Sequence, residues 1–96
     1  MLILCKEAED DLKKAYEWYE EKRARLGVEF VYEVESAFEI IIEKNPQLYA
    51  KVFKDVRRVL CSRFPYSVYF FERKSDTVVI GVLHQRRNPV IWQARR

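Results

Sequence analysis

The 96-residue sequence predicts an α+β fold: an N-terminal strand, an antiparallel helical hairpin, then a four-stranded antiparallel meander with a short C-terminal segment. Three observations predict it. Two successive stretches place apolar residues at the helical period, the connection between them is short, and beyond Pro46 the pattern changes to extended runs of β-branched and aromatic residues.

Each element follows in order. Leu2 to Cys5 is short and β-prone, and can add an edge to a sheet. Ala8, Leu12, Ala15, Tyr16, Tyr19 and Leu26 follow with the spacing of an amphipathic helix, and Gly27 reads as its stop. From Val28 a second helical pattern runs through Phe30, Val34, Ala37, Phe38, Ile41 and Ile42. Asn45-Pro46 ends it, because proline disfavours helix in the residue before it. A link at Leu26-Gly27 is short enough to force the two helices antiparallel. Strands are then expected over Tyr49 to Phe53, Val56 to Cys61, Tyr66 to Arg73 and Val78 to Gln85. Phe64-Pro65 and Lys74-Ser75-Asp76-Thr77 are the turns between the later ones.

A chain of this length forms one domain, residues 1–96, since a single core of this size can bury roughly two-thirds of the surface exposed by the unfolded chain. Hydrophobic residues make up 49% of it, and two Gly and three Pro leave little room for a disordered linker. Cys5 and Cys61 lie far apart and belong to no Cys/His cluster, so no metal and no cofactor are expected, and free thiols in a reducing compartment are the reading. Met1 to Cys5 is too short for a signal-peptide core, the acidic Glu7, Glu9, Asp10 and Asp11 follow it, and no apolar run reaches membrane-spanning length. The expectation is a cytoplasmic protein without a membrane partner.

The net charge of +3 conceals a division. Residues 1–45 carry seven Lys/Arg against twelve Asp/Glu, whereas residues 46–96 carry eleven against three. A basic half either meets an anionic partner, such as nucleic acid or an acidic protein segment, or pairs with the acidic half of its own chain. A second division lies in the strands. Val68 to Phe71 and Val78 to Leu83 are apolar without a break, so both sheet faces carry hydrophobic side chains, and a helical hairpin covers only one. The other face requires the segment around Val90, Ile91 and Trp92, a second protein, or both.

Candidate functional residues gather where the last strand changes to polar chain: His84, Gln85, Arg86, Arg87 and Asn88. His84, the sole histidine, is either a general base or a strand-end side chain bonded to nearby backbone. Arg86 and Arg87 suit bidentate pairing with phosphate or carboxylate, and as adjacent strand residues they point to opposite faces. Tyr66 and Tyr69 likewise fall on opposite faces, one as core and one as a contact. Trp92 either stacks on a partner or folds onto the open sheet face, and Arg95 and Arg96 read as a solvated terminus.

Taken as an ordered series, the residues resemble a known family. Asp11-Leu12, Trp18-Tyr19-Glu20, Leu26-Gly27, Phe30, Pro46 and Tyr49 open the pattern. Arg57-Arg58-Val59-Leu60, Arg63-Phe64-Pro65-Tyr66-Ser67-Val68-Tyr69, Leu83 to Pro89, Trp92 and Arg95 complete it. The series is similar to the RelE/ParE superfamily of type II toxin-antitoxin toxins, which includes plasmid stabilisation proteins, and the resemblance spans nearly the whole chain. It implies a small toxin neutralised by a cognate antitoxin whose C-terminal part wraps along it, with operator DNA reached only through the antitoxin. Acidic and apolar antitoxin side chains laid across the sheet would match both the basic half and the uncovered face.

The superfamily has two branches. RelE-like ribonucleases cut mRNA in the ribosomal A site without a metal, which requires proton transfer and cations around a crowded phosphate. Members of that branch carry an Arg directly after the Tyr that matches Tyr66, and a Tyr near the C-terminus; here those positions are Ser67 and Trp92. Arg86 does match a basic position of that branch, and its candidate catalytic set is His84, Arg86, Arg58 and Tyr66. ParE-like members instead poison DNA gyrase and need a contact surface without a catalytic set. The strand ending Val82-Leu83-His84-Gln85 resembles them more closely, so a gyrase-directed toxin is the favoured reading and no enzymatic activity is expected. Arg58, Arg63, Tyr69, His84, Arg86, Arg87, Trp92 and Arg95 are the expected target or antitoxin contacts. A ribosome-dependent endoribonuclease is the alternative, and a basic nucleic-acid-binding module with no toxic role is a third.

Overall fold

The computed structural model describes residues 1–96 as β1 (Leu2–Leu4), α1 (Lys6–Lys22), α2 (Leu26–Glu43), β2 (Lys51–Phe53), β3 (Val56–Leu60), β4 (Tyr66–Arg73), β5 (Asp76–His84) and α3 (Val90–Gln93). A 3-10 turn at Pro46–Leu48, with the Asn45 side chain accepting from the Gln47 N–H, precedes β2, which starts at Lys51 and not at Tyr49 as expected. The strands form one sheet in the order β1-β5-β4-β3-β2. The meander β2 to β5 is antiparallel, as expected, and β1 adds the edge beside β5 in parallel, since the helical hairpin returns the chain across the sheet.

The helical hairpin turns two residues earlier than the glycine signal implies. Gly27 does not stop α1: α1 ends at Lys22, Arg25 takes a left-handed φ of 73°, and Gly27 lies inside α2. Its role is close approach. A Cβ on Gly27 would sit 2.5 Å from the Tyr16 carbonyl oxygen and 2.7 Å from Glu20 Cγ. That proximity lets the Glu20 carboxylate accept from the backbone N–H groups of Arg25, Gly27 and Val28 at 3.2, 2.8 and 3.3 Å. A side chain of α1 therefore caps the start of α2, which has no capping side chain of its own.

The sheet separates two apolar clusters. Toward the helices, Phe30, Val34, Ile41, Val59, Val68, Phe70, Val79 and Val82 pack with Ala8, Ala15 and Tyr19. On the opposite face, Val56, Tyr69, Phe71, Val78, Ile80 and Leu83 pack with Trp92. Of the ways to cover that face, the fold uses the C-terminal segment. Trp92 stacks on Tyr69 with ring centroids 4.3 Å apart and 16° between planes. Arg96 lies over the Phe71 ring at 3.7 Å and pairs with Asp55 at 2.8 Å, so the last residues are clamped and not a solvated tail.

A β-bulge ties this clamp to the first helix. Tyr69 pairs with Gly81 and Phe70 with Val79, which leaves Ile80 as the extra residue of β5. The polar backbone groups freed there are satisfied by side chains. Val82 N–H donates to Asp11 Oδ2 at 3.1 Å, and Arg95 Nη1 donates to the Ile80 carbonyl at 3.0 Å. Arg95 also grips Asp11 with two hydrogen bonds, at 2.5 and 3.1 Å. The bulge shifts the alternation of β5, so Val79 and Val82 both face the helices while Ile80 and Leu83 face α3.

Candidate functional site

The ends of β4 and β5, together with one face of α1, enclose a cleft of about 600 Å³. Tyr66 and His84 form its sheet side as a cross-strand pair, their rings 5.5 Å apart at 72°. Trp18 and Tyr19 contribute aromatic surface from α1, Lys14 and Arg87 bring cations, and the Asp11–Arg95 pair lies at the inner end. Asp11, Lys14 and Trp18 share one face of α1 at spacings of three and four residues, the periodicity that brings helix side chains into register.

Electrostatics within the cleft are uneven. Asp11 is fully engaged by Arg95 and by Val82 N–H, whereas Lys14 and Arg87 form no ion pair. Burial raises the Tyr66 hydroxyl above its ordinary pKa despite the lowering influence of Arg87, so Tyr66 stays protonated. His84 Nδ1 accepts from the Arg86 N–H at 3.1 Å, and the His84 carbonyl accepts from the Arg87 N–H at 2.9 Å. The histidine thus shapes the turn that follows β5, which is the strand-end role among its two readings. With Nδ1 accepting, Nε2 is the nitrogen open to a partner.

That turn changes the placement of the adjacent arginines. β5 ends at His84, so Gln85 to Arg87 are turn residues and the strand rule of opposite faces does not govern Arg86 and Arg87. Both are exposed, and the Arg87 side chain lines the cleft while that of Arg86 does not. Gln85 fixes the turn against the β3–β4 connection, its N–H donating to the Pro65 carbonyl at 2.8 Å.

The remaining expected residues lie elsewhere. Arg58 is exposed on the α3 side of β3, opposite Tyr69 in register. Arg63 leaves the β3–β4 connection to pair with Glu29 on α2. Its own N–H, with the Ser62 hydroxyl, binds Glu33. Tyr69 and Trp92 are core, each about 4% exposed, and Arg95 is committed to Asp11. The structure therefore unites Tyr66, His84, Arg87 and Arg95 at the cleft and leaves Arg58, Arg63 and Arg86 outside it. Lys14 and Trp18 were not among the expected site residues. Their spacing with Asp11 along α1 was the available signal, overshadowed by the core stripe of Leu12, Ala15 and Tyr19.

No group of three or more His, Cys, Asp or Glu side chains is arranged to hold a metal ion. No helix is long and apolar enough to cross a membrane.

Comparison with known proteins agrees with this architecture. The family described as ParE toxin of the type II toxin-antitoxin system, parDE, matches residues 2–89. Among solved structures, one titled chromosomal ParDE TA system from P. aeruginosa superposes with a TM-score of 0.76 at 16% sequence identity, covering 86% of this chain and 92% of that one. At that identity the likeness speaks to the fold. No curated protein matches the chain.

Proposed function

The chain belongs to the ParE toxin family of type II toxin-antitoxin systems, and from that premise we propose that it arrests growth by binding an essential protein target, DNA gyrase, without cleaving a substrate, and that a cognate antitoxin neutralises it. One observation carries this reading. The two positions at which a ribonuclease of the superfamily would hold a phosphate-binding cation and a tyrosine are Ser67, wholly buried, and Trp92, about 4% exposed. Neither side chain reaches a substrate, and an indole supplies no proton at neutral pH.

Of the other members of a nuclease set, Tyr66 and His84 meet at the cleft, while the cations Arg58 and Arg86 lie outside it. Tyr66 retains its proton through burial, His84 Nδ1 is used in its own turn, and Arg58 stands on β3 on the α3 side of the sheet. General acid–base cleavage needs a proton acceptor, a donor and a cation around one phosphate. A contact surface needs only exposed groups, and the unpaired Arg58 and Arg86 supply them. Operator DNA is reached through the antitoxin.

Inducible expression with two assays in parallel tests the proposal. DNA breakage with loss of supercoiling and intact ribosome-bound mRNA is the expected pair of results. Cleaved message with normal supercoiling would transfer the assignment to a ribosome-dependent endoribonuclease, in which case Arg86→Ala abolishes cleavage without unfolding the chain.

A further inference from the structure

We propose that the α3 side of the sheet, at the end where β3 and β5 finish, is the surface that meets the protein target, through a target segment carrying carboxylates around an apolar side chain; naming that target as gyrase rests on the reading above. Strand register places the residues. Arg58 and Leu60 lie two apart on β3, opposite Tyr69 and Ser67, and so share the face on which Tyr69 and Trp92 pack. Ser67 is in turn opposite Leu83, from which the chain runs through the Arg86 turn into α3 at Val90.

This face has two halves. Toward Phe71 it is closed, with Arg96 over the ring and paired to Asp55. Toward Leu60 it is open: Leu60 is 56% and Val90 63% exposed, and Arg58 and Arg86 are exposed without an ion pair. No Asp or Glu occurs from Val56 to Phe71 or from Thr77 to Arg96, so the chain around this end supplies no carboxylate to balance them. The helix carboxylates that reach the sheet, Asp11, Glu29 and Glu33, are spent on Arg95 and on Ser62 and Arg63. An acidic partner is therefore drawn to the α3 side and repelled by the acidic excess of the helices. Two exposed aliphatic side chains beside unpaired guanidinium groups supply the apolar centre and polar rim of a protein interface.

RNA fits this face less well. Single strands are held by bases stacked on accessible rings, and the rings here, Tyr69 and Trp92, are stacked on each other and about 4% exposed. The accessible rings at this end of the sheet, Tyr66 and His84, line the cleft on the helix side.

Inhibition of gyrase supercoiling by purified variants tests the surface, with melting curves to confirm that each is folded. Arg58→Glu, Arg86→Glu and Leu60→Ser are each expected to raise the half-inhibitory concentration about tenfold or more. Lys74→Glu, in the β4–β5 turn at the opposite end of the sheet, leaves it unchanged. Added salt is expected to weaken the unaltered chain more than Arg58→Glu. Undiminished inhibition by two or more of the three variants removes the surface and keeps gyrase. Growth arrest on induction judges the target separately. Arrest that is lost in these variants, with gyrase unaffected and mRNA intact, keeps the surface and removes gyrase. Cleavage of mRNA by the unaltered chain that Arg58→Glu abolishes gives this face to RNA and overturns the proposal. A chain that neither arrests growth nor slows gyrase overturns both.

Discussion

Asp11 and Arg95 occupy the position on which most of the geometry depends. Their pair is nearly buried, and it serves two backbone groups that the β5 bulge detaches from the sheet ladder. Removing one member of such a pair leaves the other desolvated without compensation. Asp11→Asn is therefore expected to cost about 2–3 kcal/mol, read as a fall in melting temperature on the order of 10 °C. Arg95→Met is expected to cost a similar amount, and the double variant less than the sum of the two, because both report one interaction. The thiols give another test at this scale. Burial, with Glu33 nearby, pushes Cys61 up to about 11, and burial also raises Cys5. A thiol in that range has little thiolate at pH 8, so alkylation of Cys61 is expected to be slow in the native protein and to accelerate on unfolding; rapid native labelling would contradict its placement.

At the scale of elements, the helices and long strands were legible because their patterns record burial. β4 occupies the span read from Tyr66 to Arg73, and the core faces of α1 and α2 follow the apolar stripes at helical spacing, except that Tyr16 and Ile42 are exposed and Leu26 begins α2. The connections were less legible. Gly27 resembles a helix stop, yet its backbone is helical and its missing side chain admits Glu20 and the Tyr16 carbonyl, a tertiary demand that no local rule records. The turns at Lys54 and Lys74 carry left-handed φ of 52° and 55° without glycine or asparagine, so turn chemistry alone does not place them. Two substitutions follow. Gly27→Ala gains about 1 kcal/mol in helix propensity, but the 2.5 Å approach to a backbone oxygen leaves a net loss of about 2 kcal/mol. Lys74→Gly relieves left-handed strain and is expected to raise stability by up to about 1 kcal/mol. Denaturant midpoints distinguish the signs. The site was only partly legible for a related reason: His84 and Arg87 stand out as polar residues after an apolar strand, while Lys14 and Trp18 acquire meaning only when α1 is laid beside β5.

Across the whole molecule, the acidic and basic halves partly satisfy each other. Arg63 pairs with Glu29 and Arg95 with Asp11 across that division, while Arg96 pairs with Asp55 within the basic half. The Arg63 hydrogen bond holds Glu29 below the usual carboxylate range, and that of Arg96 does the same for Asp55. Such carboxyls bind fewer protons folded than unfolded, so their stabilisation is present above the unfolded value of about 4 and is lost as pH falls through the folded values. Melting temperature is expected to drop below about pH 4, with the drop reduced in Glu29→Gln and Asp55→Asn; a profile unchanged in both variants would remove these pairs from the account. Arg58, Arg86, Arg87 and Lys14 are among the cations that lie outside every ion pair and contribute to the outward positive surface. The proposed contact of this ParE-family chain with gyrase, in place of chemistry on RNA, is tested by adding the purified chain to a DNA gyrase supercoiling reaction. Dose-dependent loss of supercoiling with accumulation of broken DNA is the predicted result; undiminished supercoiling at saturating chain, alongside specific cleavage of ribosome-bound mRNA by the same preparation, would contradict it.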